Sequence, residues 1–263
     1  MTAYDAQGYP ARLEGDSTPP LSRWLWIVKW ALGIPHFILL AFLWIAFSFV
    51  TFIAFFAILI TGRYPRALFD FNVGVMRWTW RVAFWSYNAL GTDRYPPFSL
   101  GEEPDYPARL EVAYPASLSR GLVLIKWWLL AIPQYIVVAI FTGGAWAQWS
   151  GSSGTWWATS AGLIGVLVLI SGVVLLFTGR LPQAIFDFVL GMDRWVFRVV
   201  VYTSLMTDRY PPFRLDQGSR EPPAGAEAAT DGTSRRQHRP SVGSPAEAMK
   251  RAQSDIERAL ATF

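Results

Sequence analysis

Apolar residues in this chain come in runs too long for an ordinary soluble core helix. Ile38–Val50 has Ser48 as its one polar side chain, and Thr51 is the only further one before Ile60. Gly162–Phe177 contains only Ser171. Uncharged stretches of this length read as bilayer helices, because crossing the hydrocarbon takes about 20 residues. In the second half of the chain the runs Gly121–Phe141 and Trp156–Phe177 flank a loop of Gly, Ser, Trp and Thr, Thr142–Thr155, that holds no Lys or Arg. Arg120 and Lys126 lie near one outer end and Arg180 at the other, so the positive-inside rule puts both ends in the cytoplasm and predicts a helical hairpin. Trp24–Ile60 offers no such loop. It reads either as an interfacial helix, a bend at Pro35 and one long crossing, or as a hairpin turning near Trp44–Ser48. One crossing would leave Arg63, Arg66, Arg94, Arg109 and Arg120 outside, so charge favours the hairpin and four crossings in all.

A different pattern follows each hairpin. In Arg66–Leu90, Asp70, Arg77 and Arg81 are seven and four residues apart, which is one helical face. Asp187, Arg194 and Arg198 repeat the spacing in Gln183–Leu205. Phe69, Val73, Met76, Trp80 and Phe84 occupy the other face, as do Phe186, Leu190, Val196 and Val200 in the second copy. This predicts helices lying in the inner headgroup layer, apolar side down. Guanidinium forks match phosphate oxygens, which makes Arg77, Arg81, Arg194 and Arg198 candidate lipid-headgroup ligands; a solvated or ion-paired face is the plainer alternative.

The recurrence extends along most of the chain. Tyr9-Pro-Ala-Arg-Leu-Glu14 returns as Tyr106–Glu111, Ser22-Arg23 as Ser119-Arg120, Lys29-Trp30 as Lys126-Trp127, and Ile34-Pro35 as Ile132-Pro133. Thr61-Gly-Arg63 matches Thr178–Arg180, Phe69-Asp-Phe71 matches Phe186–Phe188, and Thr92–Phe98 (TDRYPPF) is identical to Thr207–Phe213. Internal repetition of this kind means two copies of one structural unit. The series resembles the bacterial membrane family called domain of unknown function 4389, here in two tandem copies, with Leu181-Pro182 departing from Tyr64-Pro65. That resemblance implies a membrane setting and assigns no activity.

Prolines and alternating residues in the PPF and YPARLE pieces predict short extended segments, Phe98–Leu100 pairing with Ala108–Tyr114 and Phe213–Leu215 with Ala11–Glu14. Pro35 and Pro133 should kink their helices. Lys29 and Lys126, near helix ends, are read as snorkelling to the interface. Tryptophans cluster at run ends, as in an interfacial belt.

Composition narrows the chemistry. The 52% apolar content fits a membrane protein, and the absence of cysteine excludes disulfides and thiolate chemistry. No phosphate loop, HExxH or GxSxG occurs. His36 is replaced by Gln134 in the second copy, so it reads as a packing or interfacial residue rather than a metal ligand or acid–base group. Asp70 and Asp187 are the only carboxylates expected near the membrane, too few for a mechanism. The tail, 216–263, has seven basic and seven acidic residues, and its composition predicts disorder up to a capping box at Ser244–Glu247 that starts a short helix over 245–261.

The sequence thus predicts an all-α membrane protein with small extended or β elements. Repeat 1 occupies 1–100, repeat 2 101–215, and a cytoplasmic tail 216–263. Each repeat is a transmembrane hairpin, an amphipathic interfacial helix and a short strand. The expected role is a non-enzymatic multi-pass scaffold or accessory protein of the cell membrane with both termini cytoplasmic. Its expected partners are membrane lipids, anionic ones included, and a membrane protein or second copy, with no nucleic acid, cofactor or metal. A small transporter or lipid-handling protein is the alternative.

Overall fold

The computed structural model describes residues 9–86, 88–143 and 162–220. It is mostly helical, with one two-stranded sheet. In chain order the elements are β1 (Ala11–Gly15), α1 (Leu25–Leu32), α2 (Ile34–Thr61), α3 (Arg66–Trp85), β2 (Ala108–Val112) and α4 (Arg120–Ile125). A π turn (Lys126–Leu130), α5 (Ile132–Thr142), α6 (Leu163–Thr178) and α7 (Gln183–Thr203) follow. The expected loop lies almost wholly outside the described residues, and the expected tail helix lies entirely outside them.

The turn expected near Trp44–Ser48 is absent. α2 runs through it as one helix of 28 residues, ended by Gly62 at φ 71, the left-handed geometry that closes helices. Ser48 does not interrupt it, because its hydroxyl bonds back to the Trp44 carbonyl at 2.9 Å. α2 is the one helix among the described residues long and apolar enough to cross a membrane by itself.

The second copy builds the same helix in two pieces. α5 has 11 residues and α6 has 16; with Gly162 between them they equal the 28 of α2. The junction is tight, since a Cβ on Gly162 would lie 2.3 Å from the Gly143 nitrogen and the Phe141 oxygen. Chain direction is also kept. Trp195 Nε1 on α7 donates to Gln134 on α5 at 2.6 Å, as Trp78 Nε1 on α3 donates to His36 on α2 at 3.1 Å. Further along, α6 packs Ile164 and Val168 with Val189 and Met192 of α7. So α5 and α6 do not fold into the expected hairpin: they follow one another along α7, with Gly143 and Gly162 side by side at the junction.

Pro35 and Pro133 sit in the first turns of α2 and α5, where a missing N–H costs nothing. Entry into these helices differs by one residue. Lys29 and Ile34 are five apart, whereas Lys126 and Ile132 are six apart, and the π turn absorbs the extra residue. The α4–π segment meets α5 at 46°. The Trp127 carbonyl accepts from the Tyr135 hydroxyl at 2.6 Å; Phe37 stands at the matching place in the first copy.

The strands are where the alternation placed them, but their partners are not. β1 pairs antiparallel with β2, Leu13 opposite Leu110. Since Leu13 and Leu110 are also equivalent in the repeat, a pseudo-twofold axis passes through that pair. Arg12 faces Glu111 and Glu14 faces Arg109, so opposite charges lie directly across the ladder. Segments 98–100 and 213–215 do not join the sheet, and the carbonyls of Ser99 and Gly101 accept from Arg81 instead. The pairing exchanges strands between copies: Arg194 on α7 holds the carbonyl of Leu13 in β1 at 2.8 Å, and Arg77 on α3 holds that of Leu110 in β2 at 3.0 Å.

Three layers result. α3 meets α2 through Asn72, Trp78 and Thr79. It meets the sheet through Arg77, whose guanidinium holds the Leu110 carbonyl, and Trp80, whose Nε1 donates to the Glu14 carbonyl at 3.0 Å. At 100° per residue these are opposite faces of one helix. The apolar residues expected to face lipid are inside the protein: Trp80 contacts Phe197 and Phe84 contacts Phe186, ring to ring across the repeats. α3 and α7 are therefore a buried middle layer and not helices lying on headgroups. The outermost apolar layer is formed by α1, α2 and α4–α6, where Phe42, Phe49, Phe52, Ile60, Leu169 and Phe177 are exposed.

Candidate functional site

Charge buried inside the protein needs partners, because a buried unpaired cation is costly. Lys29 and Lys126 do not snorkel; they are 2% and 0% exposed. Each ammonium is received by a TDRYPPF motif. Lys29 Nζ donates to the Thr92 carbonyl at 2.6 Å and pairs with Asp93 at 3.0 Å. Lys126 Nζ reaches the Thr207 carbonyl at 3.1 Å and Asp208 at 2.7 Å. The second carboxylate oxygen accepts the backbone N–H of Ser22 or Ser119, at 2.5 and 2.6 Å. The repeated heptapeptide is thus a clasp that fixes the start of each apolar helix pair.

The four arginines singled out as headgroup ligands are likewise turned inward. Arg81, Arg194 and Arg198 are buried, and only Arg77 keeps partial exposure, 21% for its side chain. Arg77 pairs with Glu102 as well as holding Leu110. Arg194 also donates to the Asp216 carbonyl at 2.7 Å, and Arg198 pairs with the Asp216 carboxylate at 2.5 Å. Asp70 and Asp187 do not join these arginines; they bond Arg66 and Gln183 one turn away on the surface. The arginines lock the sheet and the post-PPF segments onto α3 and α7.

His36 and Gln134 share one task. Each accepts the indole N–H of the tryptophan on the facing helix, and His36 also stacks on Phe98 at 4.0 Å.

Sequence reasoning missed Asp193. It is fully buried on α7, where the first copy has Met76, and its Oδ1 accepts from Asn88 Nδ2 at 2.8 Å. Its Oδ2 has no hydrogen-bond partner. Burial pushes its pKa up to about 8, with Asn88 and Arg194 offsetting part of the rise. The available signal was the contrast between repeats: Asn88 belongs to two residues that the second copy lacks before TDRYPPF.

Sequence reasoning also missed a groove of about 580 Å³ between the copies. α2 supplies Trp44, Ser48, Thr51 and Phe55, the π turn Trp127, α5 Tyr135, and the end of α7 Thr203 and Ser204. Its hydroxyls are already committed. Ser48 bonds the Trp44 carbonyl, Thr51 accepts from Asn72, and Tyr135 bonds the Trp127 carbonyl. Thr203 and Ser204 bond carbonyls one turn back. The lining contains no charged residue. At the matching place in the other half, Trp26 lies on Gly172, the counterpart of Phe55, with its indole 3.1 Å from a Cβ built there. Ile164, Val168 and Leu90 pack with it, so that half has a filled cluster where this one has a groove.

Comparison with known proteins agrees with this internal twofold. The profile of a family described as Domain of unknown function (DUF4389) matches residues 23–99 and 155–214, together just over half of the 263-residue chain. The chain belongs to that family, in two tandem copies. The second match begins at 155, between α5 and α6 in sequence. No curated protein and no solved structure matches the chain.

Proposed function

We propose that this member of the family is a non-enzymatic membrane scaffold or accessory protein. In this reading its outermost helices are sunk in one leaflet, while the sheet and both termini lie on the cytoplasmic side. The carrying observation is the order of the layers. Arg12, Arg109 and Glu111 are exposed on the sheet, directly over the face of α3 opposite α2. Were α2 to stand across the bilayer, the sheet beside it would take those charges into hydrocarbon, at a cost of about 2.5 kcal/mol or more for each. Lying along the membrane, α2 keeps its apolar side in lipid and the sheet in water. The charge argument that favoured a hairpin is met in another way, since the arginines at both ends of α2 stay on one side. A non-catalytic role is supported by the buried cations, which close on backbone carbonyls and on carboxylates.

The length of α2 favours a second reading. Twenty-eight residues span about 42 Å, more than the roughly 30 Å hydrocarbon core, so a multi-pass arrangement has a helix to use. The absence of native cysteine makes a clean test available. Arg63→Cys and Arg94→Cys flank the two ends of α2. An impermeant maleimide should label both from the cytoplasmic face of oriented vesicles; labelling from opposite faces would establish a crossing and end the one-leaflet reading.

A further inference from the structure

The groove between the copies has no assigned role, and its chemistry selects an occupant. We infer that it holds one acyl chain of a membrane phospholipid, entering sideways from the leaflet. The inference rests on the proposed membrane placement and adds a specific site to it. Three observations carry it. The groove is open to the same exposed apolar layer that includes Phe49, Phe52 and Ile136, so lipid chains are its immediate surroundings. Four of its five hydroxyls, those of Ser48, Tyr135, Thr203 and Ser204, donate to protein carbonyls, so a polar solute would find few donors there. Its lining carries no cation, which leaves the carboxylate of a free fatty acid without a partner; a phospholipid keeps its charge in the headgroup layer outside. The volume of about 580 Å³ lies within the range of small-ligand sites. Asymmetry between the copies sharpens the point, because Trp26 fills the corresponding space in the other half.

The test uses the full chain in vesicles of phosphatidylethanolamine and phosphatidylglycerol doped with a phosphatidylethanolamine that carries a mid-chain diazirine. Photolysis and peptide mapping should place the adducts on Phe55, Tyr135 and Thr203 in excess over the open surface of α6 at Ile170. Native mass spectrometry after extraction in mild detergent should find one phospholipid retained per chain. Ser48→Trp, a change at an exposed position on the rim, should fill the groove and lower retention about tenfold, the equivalent of losing fewer than two buried methylenes. Ser48→Leu should give a smaller drop and serves if the tryptophan variant does not fold. Val166→Trp, on exposed α6, should leave retention unchanged. Uniform adducts over the apolar layer, or equal retention in a folded Ser48 variant, would overturn the site while leaving the membrane placement intact. Retention of palmitate instead of phospholipid would also overturn it. A chain found free of membranes on cell fractionation would overturn both readings.

Discussion

The two copies solve one packing problem with different residues. The first copy has an unbroken α2, a break at Gly33, Met76 in the core, and a tryptophan on α1 that fills the space over the other copy. The second divides its long helix at Gly143–Gly162, absorbs an extra residue as a π turn, places Asp193 where Met76 would be, and has Val123 at the position of Trp26. Features present in both copies are those the fold requires: the Lys–Asp clasp, the arginines on strand carbonyls, and the acceptor for the α3 or α7 tryptophan. Features present in one copy, the groove and the buried acid, are where a role beyond folding can reside.

The largest contrast should appear in the arginines. Arg194→Ala strands two buried carbonyl contacts and should lower stability by about 3 kcal/mol. Arg77→Ala loses one such contact and an exposed ion pair, for about 1 to 2 kcal/mol. Denaturant titration of both variants in detergent checks the order; equal losses would mean that burial does not distinguish the copies.

Asp193 should show its effect as a pH dependence. Its folded pKa lies well above the unfolded value, so the folded chain holds a proton that the unfolded chain has lost. Its contribution is complete below about pH 4 and drains away as pH rises towards 8, at up to about 1.4 kcal/mol per unit. Asp193→Asn should flatten this fall between pH 5 and 8, measured as the variant's stability relative to the native chain at each pH. A parallel decline in both proteins would place the titration elsewhere.

Exchanging the copies' characters at Trp26 is a sharper but smaller test. Trp26→Ala should cost about 2 kcal/mol, reduced from a core truncation because the ring is only partly buried. The same change should open a second site, seen as new lipid adducts around Gly172. The smallest effect belongs to Tyr135→Phe, which copies Phe37 and leaves the Trp127 carbonyl without its hydroxyl donor, for about 1 kcal/mol.

Much of the architecture was legible in the residues. Recurring motifs gave the two copies, helical spacing gave α3 and α7, and alternation gave both strands. Burial and partnership were not legible, for a physical reason. Phe69, Val73 and Trp80 form the same stripe whether the neighbour is lipid or another helix, and both environments reward apolar surface. Arg77 and Arg81 share a face whether they meet phosphate or carbonyl oxygen. For α2, the charge rule counted arginines at both ends and demanded a turn, but no residue of the run stops the helix before Gly62. The groove depends on Phe55 differing from Gly172 and Val123 from Trp26, which becomes visible only when distant positions are superposed.

The sheet register has one more consequence. Read outwards from Leu13, β1 is antisymmetric in charge, with Arg12 on one side and Glu14 on the other; β2 reads the same about Leu110. Each strand is therefore complementary to a copy of itself in the same antiparallel register. A chain holding one repeat would carry everything needed to build this sheet with its twin, and a chain cut between Gly101 and Asp105 would leave two fragments shaped to find each other again. The covalent link makes permanent an association that each half already specifies.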